Sequence, residues 1–431
     1  MGSVCWLGLR MAARVMPKRC QPSDLQDPVK LGNVLRPVVD DLYGLGIGDD
    51  WTRRVLRKMS MCGTGELGYG FRVCDDCKHY EGFGMACRDR HCPSCGHKKA
   101  KEWEAARCDE LVEGPYFHYV FTVPGALYPL FCANRRVLYD LFHRVVRELI
   151  LRLAADKRFL GGTPWAMSVL HTTNQQLGYH PHIHVLLGGV GWNESTDTMV
   201  RTAKDDFLFP ARALASGLRG RFLMALRELV KSEEQELELP SQYGGEGGRR
   251  AVLLATIENL FEVNWQVHTK AAYGGAVQTV RYLARYVERT AISNRRLLEL
   301  TDETVTFQYT NRKLGRKRRK TVRLLEFARL FERHILPKGF VRIRRFGLLS
   351  THKRKHLLPR VQQAAAQAAG QQDWTPPVPT LEPESGGVQR CRACGSTKVK
   401  LVDLCFRTDI PLIIGRQPRP PPMPKAPGRA R

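Results

Sequence analysis

Three histidines alternate with other residues in the stretch "GYHPHIHVLLGG". Side chains of a β-strand point alternately to its two faces, so His180, His182 and His184 are predicted to share one face. Two imidazoles at i and i+2 on one face can chelate a divalent cation. Pro181 cannot donate a hydrogen bond to a neighbouring strand, so regular pairing is expected only after it. We therefore predict that His182 and His184 form the principal metal-binding pair, with His180 as an additional candidate ligand.

The same alternation allows two other interpretations. A histidine on a strand can be a polar side chain of the fold that binds nothing. The letters also fit the His-x-His-x-His pattern of the histidine-triad nucleotide hydrolases and transferases, which are small, compact proteins. That class explains neither the cysteine-rich segment of this chain nor its charge.

Six of the thirteen cysteines lie between Cys62 and Cys95. Two Cys-x-x-Cys knuckles, Cys74–Cys77 and Cys92–Cys95, are separated by fourteen residues. Paired thiolates in a turn converge on one tetrahedral ion, and two such pairs complete its four ligands. We predict that these knuckles share one structural zinc ion, since buried free cysteines rarely occur as paired knuckles. The remaining candidates, which could form a second zinc site, are Cys62, Cys87, His79 and His91.

A further knuckle near the C-terminus, Cys391–Cys394, is followed by Cys405. Three thiols with no evident fourth ligand amount to half of a zinc site. The sequence leaves open whether this segment binds metal.

Tyr282 and Tyr286 stand one helical turn apart in "VQTVRYLARYVERTAISNRR". On a helical wheel with Val280 at zero, the apolar residues fall within about 60° of it, whereas the tyrosines fall at about 200° and 240°. The tyrosines are therefore predicted to lie off the buried stripe, beside Arg285 and Arg289. Phenols next to guanidinium groups suit nucleophilic attack on a phosphodiester. They also suit stacking on nucleobases, which the pattern leaves open.

The charge of the chain points to a polyanionic partner. Its 431 residues include 68 Lys plus Arg against 42 Asp plus Glu, a net charge of +26. This favours nucleic acid over a plain solvated surface or a membrane-surface protein. The run 312–323 has eight basic residues in twelve positions and no acidic one, and we predict that it follows the DNA backbone instead of forming a solvated loop. The residues assigned to DNA contact are Arg285, Arg289, Arg312, Lys313, Arg316, Lys317, Arg318, Arg319 and Lys320.

These candidate residues must be positioned by strands and helices that the apolar spacing predicts. Strands are expected at 116–125, 166–175, 179–187 and 303–311, with a turn near Leu177 between the second and third. Helices are expected from Asn134 to Leu153 and from Pro210 to about Glu234. Antiparallel hairpins without a long βαβ run favour an α+β fold with an antiparallel sheet.

The chain is predicted to divide into four parts. Residues 1–30 are a poorly specified extension, 31–108 a zinc-binding domain and 109–356 a catalytic domain. Residues 357–431 form an Ala/Gln- and Pro-rich basic tail, partly disordered, with the possible half zinc knuckle. No apolar window is long enough for a membrane span, and the N-terminus lacks the order of a secretory signal, so we expect a cytosolic protein.

The order of zinc module, two-histidine strand, two-tyrosine helix and basic tail resembles the HUH-type (His, hydrophobic, His) two-tyrosine transposases of the insertion sequence 91 family. The resemblance covers roughly residues 55 to 350. The matching stretches are "CRDRHCPSC", "YFHYVFTVPGAL", "LHTTNQQLGYHPHIHVLLGG", "RYLARYVERTAISNRRL", "VTFQYTNRK" and "LPKGFVRIRRFGLLS".

The resemblance implies rolling-circle-like transposition through single-stranded DNA by a protein of the bacterial cytoplasm that associates with the nucleoid. His182 and His184 would hold Mg²⁺ or Mn²⁺, and Tyr282 and Tyr286 would form 5′-phosphotyrosine links. The fold would be an antiparallel sheet of the ferredoxin-like, replication-initiator type. The partners would be DNA at the element ends and target DNA, with no small-molecule substrate. A third metal ligand is not chosen by spacing; His180, Gln175, Gln176 and groups elsewhere remain candidates.

Two other functions remain compatible with the sequence. A plasmid replication initiator or relaxase would use the same chemistry at an origin instead of an element end. A zinc-dependent nucleic-acid-binding protein would have no active site at all.

Overall fold

The computed structural model describes residues 29–96, 103, 107–232, 237–245, 248–272, 290–311, 314–376 and 390–405. Within these residues the strands pair in three antiparallel sheets. The strands are β1 (Tyr69–Cys74), β2 (Tyr80–Gly84), β3 (Tyr116–Thr122), β4 (Thr163–Thr173), β5 (Tyr179–Asn193), β6 (Thr198–Arg201), β7 (Val267–Ala272), β8 (Leu297–Leu300), β9 (Thr304–Asn311), β10 (Arg316–Arg323), β11 (Ile343–Gly347) and β12 (Val399–Cys405).

The α-helices of the described residues precede, separate and follow these strands. They are α1 (Leu31–Leu35), α2 (Val39–Gly44), α3 (Asp50–Ser60), α4 (Tyr128–Ala133), α5 (Arg135–Ala155), α6 (Ala211–Lys231), α7 (Arg249–Glu262), α8 (Leu324–Glu332), α9 (Thr351–His356) and α10 (Leu358–Ala368). The combination of helices with antiparallel sheets confirms the predicted α+β class.

The central sheet has the strand order β11-β4-β5-β3-β7, and β6 pairs with the far end of β5. Successive side chains of its strands point to opposite faces of the sheet. One face carries apolar side chains such as Phe121, Ile183 and Leu187, which pack under helices α4 to α7 in the largest core of the described residues. The predicted strands at 116–125, 166–175 and 179–187 all belong to this sheet, with slightly different ends.

The two predicted long helices are confirmed, and each packs its apolar stripe on the central sheet. Helix α5 buries Leu138, Phe142 and Val146 against it. Helix α6 begins directly after Pro210, whose fixed φ suits the start of a helix. Burying large side chains of this kind stabilises the fold by roughly 1.5–3 kcal/mol each.

A second core joins the start of the described chain to a distant segment. Leu31, Leu35 and Leu56 of the N-terminal helices pack with Phe307 of β9 and Phe327 of α8. Strands β8, β9 and β10 form a three-stranded sheet in this layer. Residues 316–323 of the basic run predicted as a DNA-contacting segment therefore form β10, one strand of a hairpin with Gly315 at φ +61° in its turn.

The Ala/Gln-rich stretch that was assigned to the tail forms helix α10 and contributes to a third core. Val361 and Ala365 pack there with Trp165 of β4. The buried amide of Gln362 donates to the carbonyls of Asp109 and Leu111, at 2.9 and 2.8 Å. This helix covers the end of the central sheet that lies away from the histidines. None of the described helices combines the length and the apolar character needed to cross a membrane.

Gly347, at the end of β11, tests the packing of the central sheet. Its φ is +62°, and a Cβ atom there would lie 2.0 Å from the carbonyl oxygen of Pro164. Gly339 has a similar φ of +72°, but a Cβ atom would meet no atom within 4 Å. We expect Gly339→Ala to lower the free energy of unfolding by about 1 kcal/mol through backbone strain. Gly347→Ala should cost about 1–3 kcal/mol more, because the backbone must move. Urea midpoints of both variants measure the difference, and equal midpoints would contradict the packing described.

Candidate active site and metal centres

A cavity of about 870 Å³ lies over the histidine-bearing face of the central sheet. Its opposite wall comes from the layer that contains the zinc-binding segment, α8 and β9, through residues such as Arg90, Phe331 and Asn311. Six histidines from four neighbouring strands line the sheet side, and they are His118, His171, His180, His182, His184 and His268. These histidines lie on the face of the sheet opposite the one packed under helices α4 to α7.

Three of these histidines converge. One nitrogen of each of His171, His182 and His184 lies within 4.8 Å of the corresponding nitrogens of the other two. His171 stands directly opposite His182 in the pairing of β4 with β5, and His184 stands opposite Val169 on the same face. Residues His171 and His184 are buried. The structure therefore offers His171 as the third group beside the predicted pair, a residue that the sequence analysis did not consider.

A bulge in β5 explains how His171 reaches this cluster. Thr173 pairs with Tyr179, but His171 pairs with His182, so two steps along β4 face three steps along β5. The extra residue falls in the stretch that contains Pro181, and proline is tolerated at bulges. A regular register counted from Thr173 would place His171 opposite Pro181, on the apolar face. The bulge brings it to the cavity face instead.

His180 was predicted as an additional ligand, and the structure places it outside the three-histidine cluster. Its Nδ1 atom forms a short hydrogen bond with the hydroxyl of Tyr128. It lies within the bulged part of β5, where the alternation of the pairing is interrupted. Gln175 and Gln176, the other candidates, line the same cavity.

The two paired histidines have partners that orient their rings. The carbonyl of His180 accepts a hydrogen bond from Nδ1 of His182 at 2.6 Å, which leaves Nε2 of His182 as the atom that can bind a cation. Nδ1 of His184 lies 2.8 Å from Nε2 of His118, and the two rings are stacked. With Nε2 of His184 as a ligand, its Nδ1–H donates to His118. Hydrogen bonds of this kind fix the tautomer of a metal ligand.

His334 holds the β4–β5 turn beside this cluster. Its Nε2 donates to the carbonyl of Leu177 at 3.0 Å, and its Nδ1 accepts from the hydroxyl of Thr172 at 3.1 Å. Burial lowers the pKa of His334 to about 4, so the ring is neutral at pH 7 and can make both bonds. The turn is therefore held from the opposite wall of the cavity.

The donor set fits a divalent transition-metal ion. Three imidazoles are borderline ligands, whereas Mg²⁺ prefers an octahedral shell of oxygen atoms. Of the two ions expected from the sequence, Mn²⁺ is therefore the better match. His171, His182 and His184 would hold it, and the remaining positions would be open to a phosphate oxygen or water.

Eight cysteines of the described residues form two clusters, and neither cluster has the predicted composition. The first contains Cys62, Cys87, Cys92 and Cys95. Its sulfur atoms lie 3.7 Å apart in the pairs Cys62–Cys95, Cys87–Cys95 and Cys62–Cys92. Hydrogen bonds from the other three thiols, of which Cys62 has the largest effect, hold the pKa of Cys95 well below its usual range. A hydrogen bond with Cys62 has the opposite effect on Cys87 and raises its pKa. A cation such as Zn²⁺ would allow all four to be thiolates.

The prediction that Cys74, Cys77, Cys92 and Cys95 share one ion is wrong. Strands β1 and β2 form a hairpin, with Cys74 and Cys77 at its turn. Cys62 and Cys87 flank its open end, where the backbone N–H of Cys87 lies 3.4 Å from the sulfur of Cys62. Five steps of strand separate the two ends by about 17 Å. The turn knuckle instead forms the second cluster with Cys391 and Cys394.

The two histidines predicted as zinc ligands lie outside both cysteine clusters. Nδ1 of His91 is 2.8 Å from a carboxylate oxygen of Asp89, and its Nε2 accepts a hydrogen bond from the backbone N–H of Leu336 at 3.0 Å. Both ring nitrogens of His91 are thus engaged by protein groups. His79 is exposed on the β1–β2 turn, where its carbonyl accepts from the N–H of Cys74.

Several predicted functional residues lie outside the described residues. They are Tyr282, Tyr286, Arg285, Arg289, Arg312 and Lys313. The remaining basic residues assigned to DNA lie on β10, where Arg316, Lys317, Arg318 and Arg319 are exposed and Lys320 is half-buried. Arg319 lies 3.6 Å from the carboxylate of Glu299, so part of its charge is offset.

Comparisons with known proteins agree on one family. A family model described as "Putative transposase" matches residues 166–356, and one described as "Transposase zinc-binding domain" matches residues 46–123. The chain is 35% identical to the putative transposase y4qJ of Sinorhizobium fredii over 307 residues, 71% of this chain and 76% of that protein. It is 30% identical to the transposase for insertion sequence element IS801 of Pseudomonas savastanoi pv. phaseolicola over 319 residues, 72% of this chain and 73% of that protein. No solved structure matches the chain.

Replacing His171 tests whether the third metal ligand is His171, as in the structure, or His180, as predicted from the sequence. We expect His171→Ala to weaken Mn²⁺ binding by at least about tenfold, because one of three ligands is lost. The matched control, His180→Ala, removes an imidazole from the same cavity and should change the affinity by less than about threefold. Electron paramagnetic resonance titration of zinc-loaded protein with Mn²⁺ gives both dissociation constants. Loss of affinity in His180→Ala alone would make His180 the third ligand.

Proposed function

Because the chain belongs to the IS91 and IS801 family of transposases, we propose that it cuts and rejoins single-stranded DNA with tyrosine nucleophiles beside a histidine-bound metal ion. The observation that carries the proposal is the convergence of His171, His182 and His184 on the floor of a large cavity. A cavity of this size can admit an unpaired nucleotide and its phosphate. The proposed fold type is the HUH, replication-initiator-like antiparallel sheet.

The position of the tyrosine segment along the chain supports this proposal. His268 and Thr269 of β7 line the cavity, and so do Thr290 and Ala291. The seventeen residues between the described ends, 273–289, contain both Tyr282 and Tyr286. Along the chain, the segment that carries the proposed nucleophiles therefore lies between a strand that contributes to the cavity and two residues of the cavity wall.

In the proposed reaction a tyrosine Oη attacks the phosphorus of a phosphodiester, and the bond from phosphorus to the 3′ oxygen breaks. The products are a 5′-phosphotyrosine and a free 3′-OH, so the energy of the cleaved bond is conserved for rejoining. The phenolic proton is released, and the 3′ oxygen takes up a proton. A metal ion at the three histidines would supply charge that polarises the scissile phosphate.

The residues around the cluster have supporting roles in this scheme. His118 and the carbonyl of His180 keep the rings of His184 and His182 oriented. Arg90 and Arg342 line the cavity and add positive charge where a phosphate would lie. Two tyrosines permit two successive phosphotyrosine links, as rolling-circle-like transposition requires. The substrate is cellular DNA, so the expected site of action is the bacterial cytoplasm.

The first test of the proposal is the covalent intermediate. Wild-type protein mixed with single-stranded DNA from the element end and Mn²⁺ should give a protein–DNA band that survives a denaturing gel. We expect the Tyr282→Phe/Tyr286→Phe variant to give no such band while its DNA affinity stays within about twofold, because a phenyl ring lacks the attacking oxygen.

The matched control is Tyr243→Phe, which removes a hydroxyl on the side of the central sheet covered by helices α4 to α7 and should leave the band unchanged. An adduct that persists without Tyr282 and Tyr286 would overturn the assignment of the nucleophiles. Tight DNA binding by wild-type protein without any adduct would instead indicate a binding protein that has no active site.

The β9–β10 hairpin gives an independent test of the DNA-binding surface. The test variant replaces four basic residues of β10 by Gln, and they are Arg316, Lys317, Arg318 and Lys320. The fall of log affinity with log salt concentration should become less steep by up to about 3, at about 0.7 per lost phosphate contact with single strands. Fluorescence anisotropy at several salt concentrations measures this slope.

The control for this experiment carries four equivalent Gln replacements on the helices that cover the other face of the central sheet. It replaces the exposed residues Arg144, Arg152, Arg212 and Lys231. It has the same net charge as the hairpin variant, so an equal loss of slope in both variants would show that only net charge matters and that β10 makes no specific contact.

A further inference from the structure

We propose that the two ends of the described chain build one zinc ribbon, in which a single Zn²⁺ is held by Cys74 and Cys77 from one end and by Cys391 and Cys394 from the other. The ion would fasten residues 390–405 to the N-terminal zinc-binding segment. This site is separate from the four-cysteine cluster of Cys62 and from the histidine cavity, and it does not depend on the proposed nuclease activity.

The positions of the four sulfur atoms fit one tetrahedral ion. The sulfurs of Cys74 and Cys394 are 3.6 Å apart, those of Cys77 and Cys391 are 3.5 Å apart, and all four lie within 4.8 Å of one another. Zinc–sulfur bonds of about 2.3 Å in a tetrahedron place the sulfurs about 3.8 Å apart. A disulfide needs about 2.05 Å, so the observed separations fit a shared ion and not two covalent bridges.

The two knuckles have the same backbone geometry. In the first, the N–H of Lys78 bonds to the carbonyl of Cys74 and the N–H of Cys74 to the carbonyl of His79, both at 2.9 Å. In the second, the N–H of Gly395 bonds to the carbonyl of Cys391 at 2.9 Å, and the N–H of Cys391 to the carbonyl of Ser396 at 2.7 Å.

The residue after each knuckle is also in the same conformation. Lys78 has φ +59° and Gly395 has φ +74°, both in the left-handed region. Lys78 adopts this conformation although it has a Cβ atom, which costs free energy that the contacts of the surrounding structure must offset. The C-terminal segment therefore has the form of a complete zinc knuckle, and not of a loop with two unrelated thiols.

Backbone pairing continues the contact away from the cysteines. Strand β12 pairs antiparallel with β1 from Cys74 opposite Val399 to Tyr69 opposite Cys405, and the sheet order is β12-β1-β2. The N–H of Asp75 also bonds to the carbonyl of Lys398 at 2.8 Å. Without β12, strand β1 would have an unpaired edge on that side.

Complementary charges fix which segment docks here. Acidic residues of the N-terminal hairpin face basic residues of the C-terminal segment, and the pairs are Asp75 with Lys400 at 2.7 Å, Asp76 with Lys398 at 3.2 Å and Glu81 with Arg392 at 2.9 Å. The hydroxyl of Ser396 donates to Asp76 at 2.6 Å. Exposed pairs of this kind add little free energy each, but together they select one register.

The proposed ribbon is more open to solvent than the other cysteine cluster. Cys77 and Cys394 are exposed, whereas Cys87 and Cys92 of the first cluster are buried. A chelator therefore reaches the ribbon more easily. We expect zinc to leave this site first, and β12 to separate from β1 when it does.

Zinc content of the full-length chain tests the proposal. The Cys391→Ser/Cys394→Ser variant should contain one zinc ion fewer than the parent by mass spectrometry of the metal. Cys74→Ser/Cys77→Ser should also lose one. The variant with all four replacements should again lose only one, because the same ion is removed each time. The matched control, Cys132→Ser, removes a thiol that belongs to neither cluster and should lose none.

Hydrogen exchange supplies a second readout that does not depend on counting metal. Amides of Tyr69–Cys74 should exchange at least about tenfold faster in Cys391→Ser/Cys394→Ser than in the parent, while amides of β4 and β5 should not change. A C-terminal double variant that keeps all of its zinc would overturn the proposal. So would a loss of two ions from the fourfold variant, or a thiol titration of the denatured protein that finds Cys77 and Cys391 oxidised.

Discussion

The pairing of β4 with β5 determines which side chains reach the cavity. One extra residue near Pro181 shifts the register, and this shift places His171 on the same face as His182 and His184. Because the side chains of a strand alternate, a shift of one residue exchanges its two faces completely. His334 fixes the adjoining turn through Leu177 and Thr172, so the register is held from the opposite wall of the cavity. The geometry of the three-histidine cluster is thus a property of strand register more than of any single histidine.

The two faces of the central sheet contribute differently, one to the largest core of the described residues and the other to the histidine-lined cavity. Helices α4 to α7 cover one face with large apolar side chains, whereas the other face carries the imidazoles at one end and the apolar contacts with helix α10 at the other. His268 of β7 lies exposed at the rim of this second face. A strand allows this division because its successive side chains point to opposite faces of the sheet.

The sequence predicts those features that depend on local periodicity. The strand of His182, the long helices α5 and α6 and the knuckle spacing all follow from residues close together in the chain. It does not predict His171, because the bulge that reorients this residue leaves only Pro181 as a local signal. It also does not predict the composition of the cysteine clusters.

Hairpin geometry explains the second failure. The two knuckles at Cys74 and Cys92 are near neighbours in sequence, but β1 and β2 hold them at opposite ends of a hairpin. The true neighbours of Cys77 lie 314 positions away, and no rule of spacing reaches so far. His91 has the residue type of a zinc ligand, but its buried contacts with Asp89 and Leu336 use both ring nitrogens.

One small sheet joins β1 and β2 with β12, which comes more than 300 residues later in the chain. This arrangement has a consequence for biosynthesis. Cys74 and Cys77 leave the ribosome about 300 residues before Cys391, since Cys77 and Cys391 are 314 positions apart. At elongation rates of up to about 20 residues per second, this interval lasts at least about 15 s. During that time β1 lacks the strand that completes its sheet. The β1–β2 hairpin is therefore synthesised early, but its sheet is completed only after β12 has been synthesised. A translation product that ends before β12 lacks the third strand of this sheet.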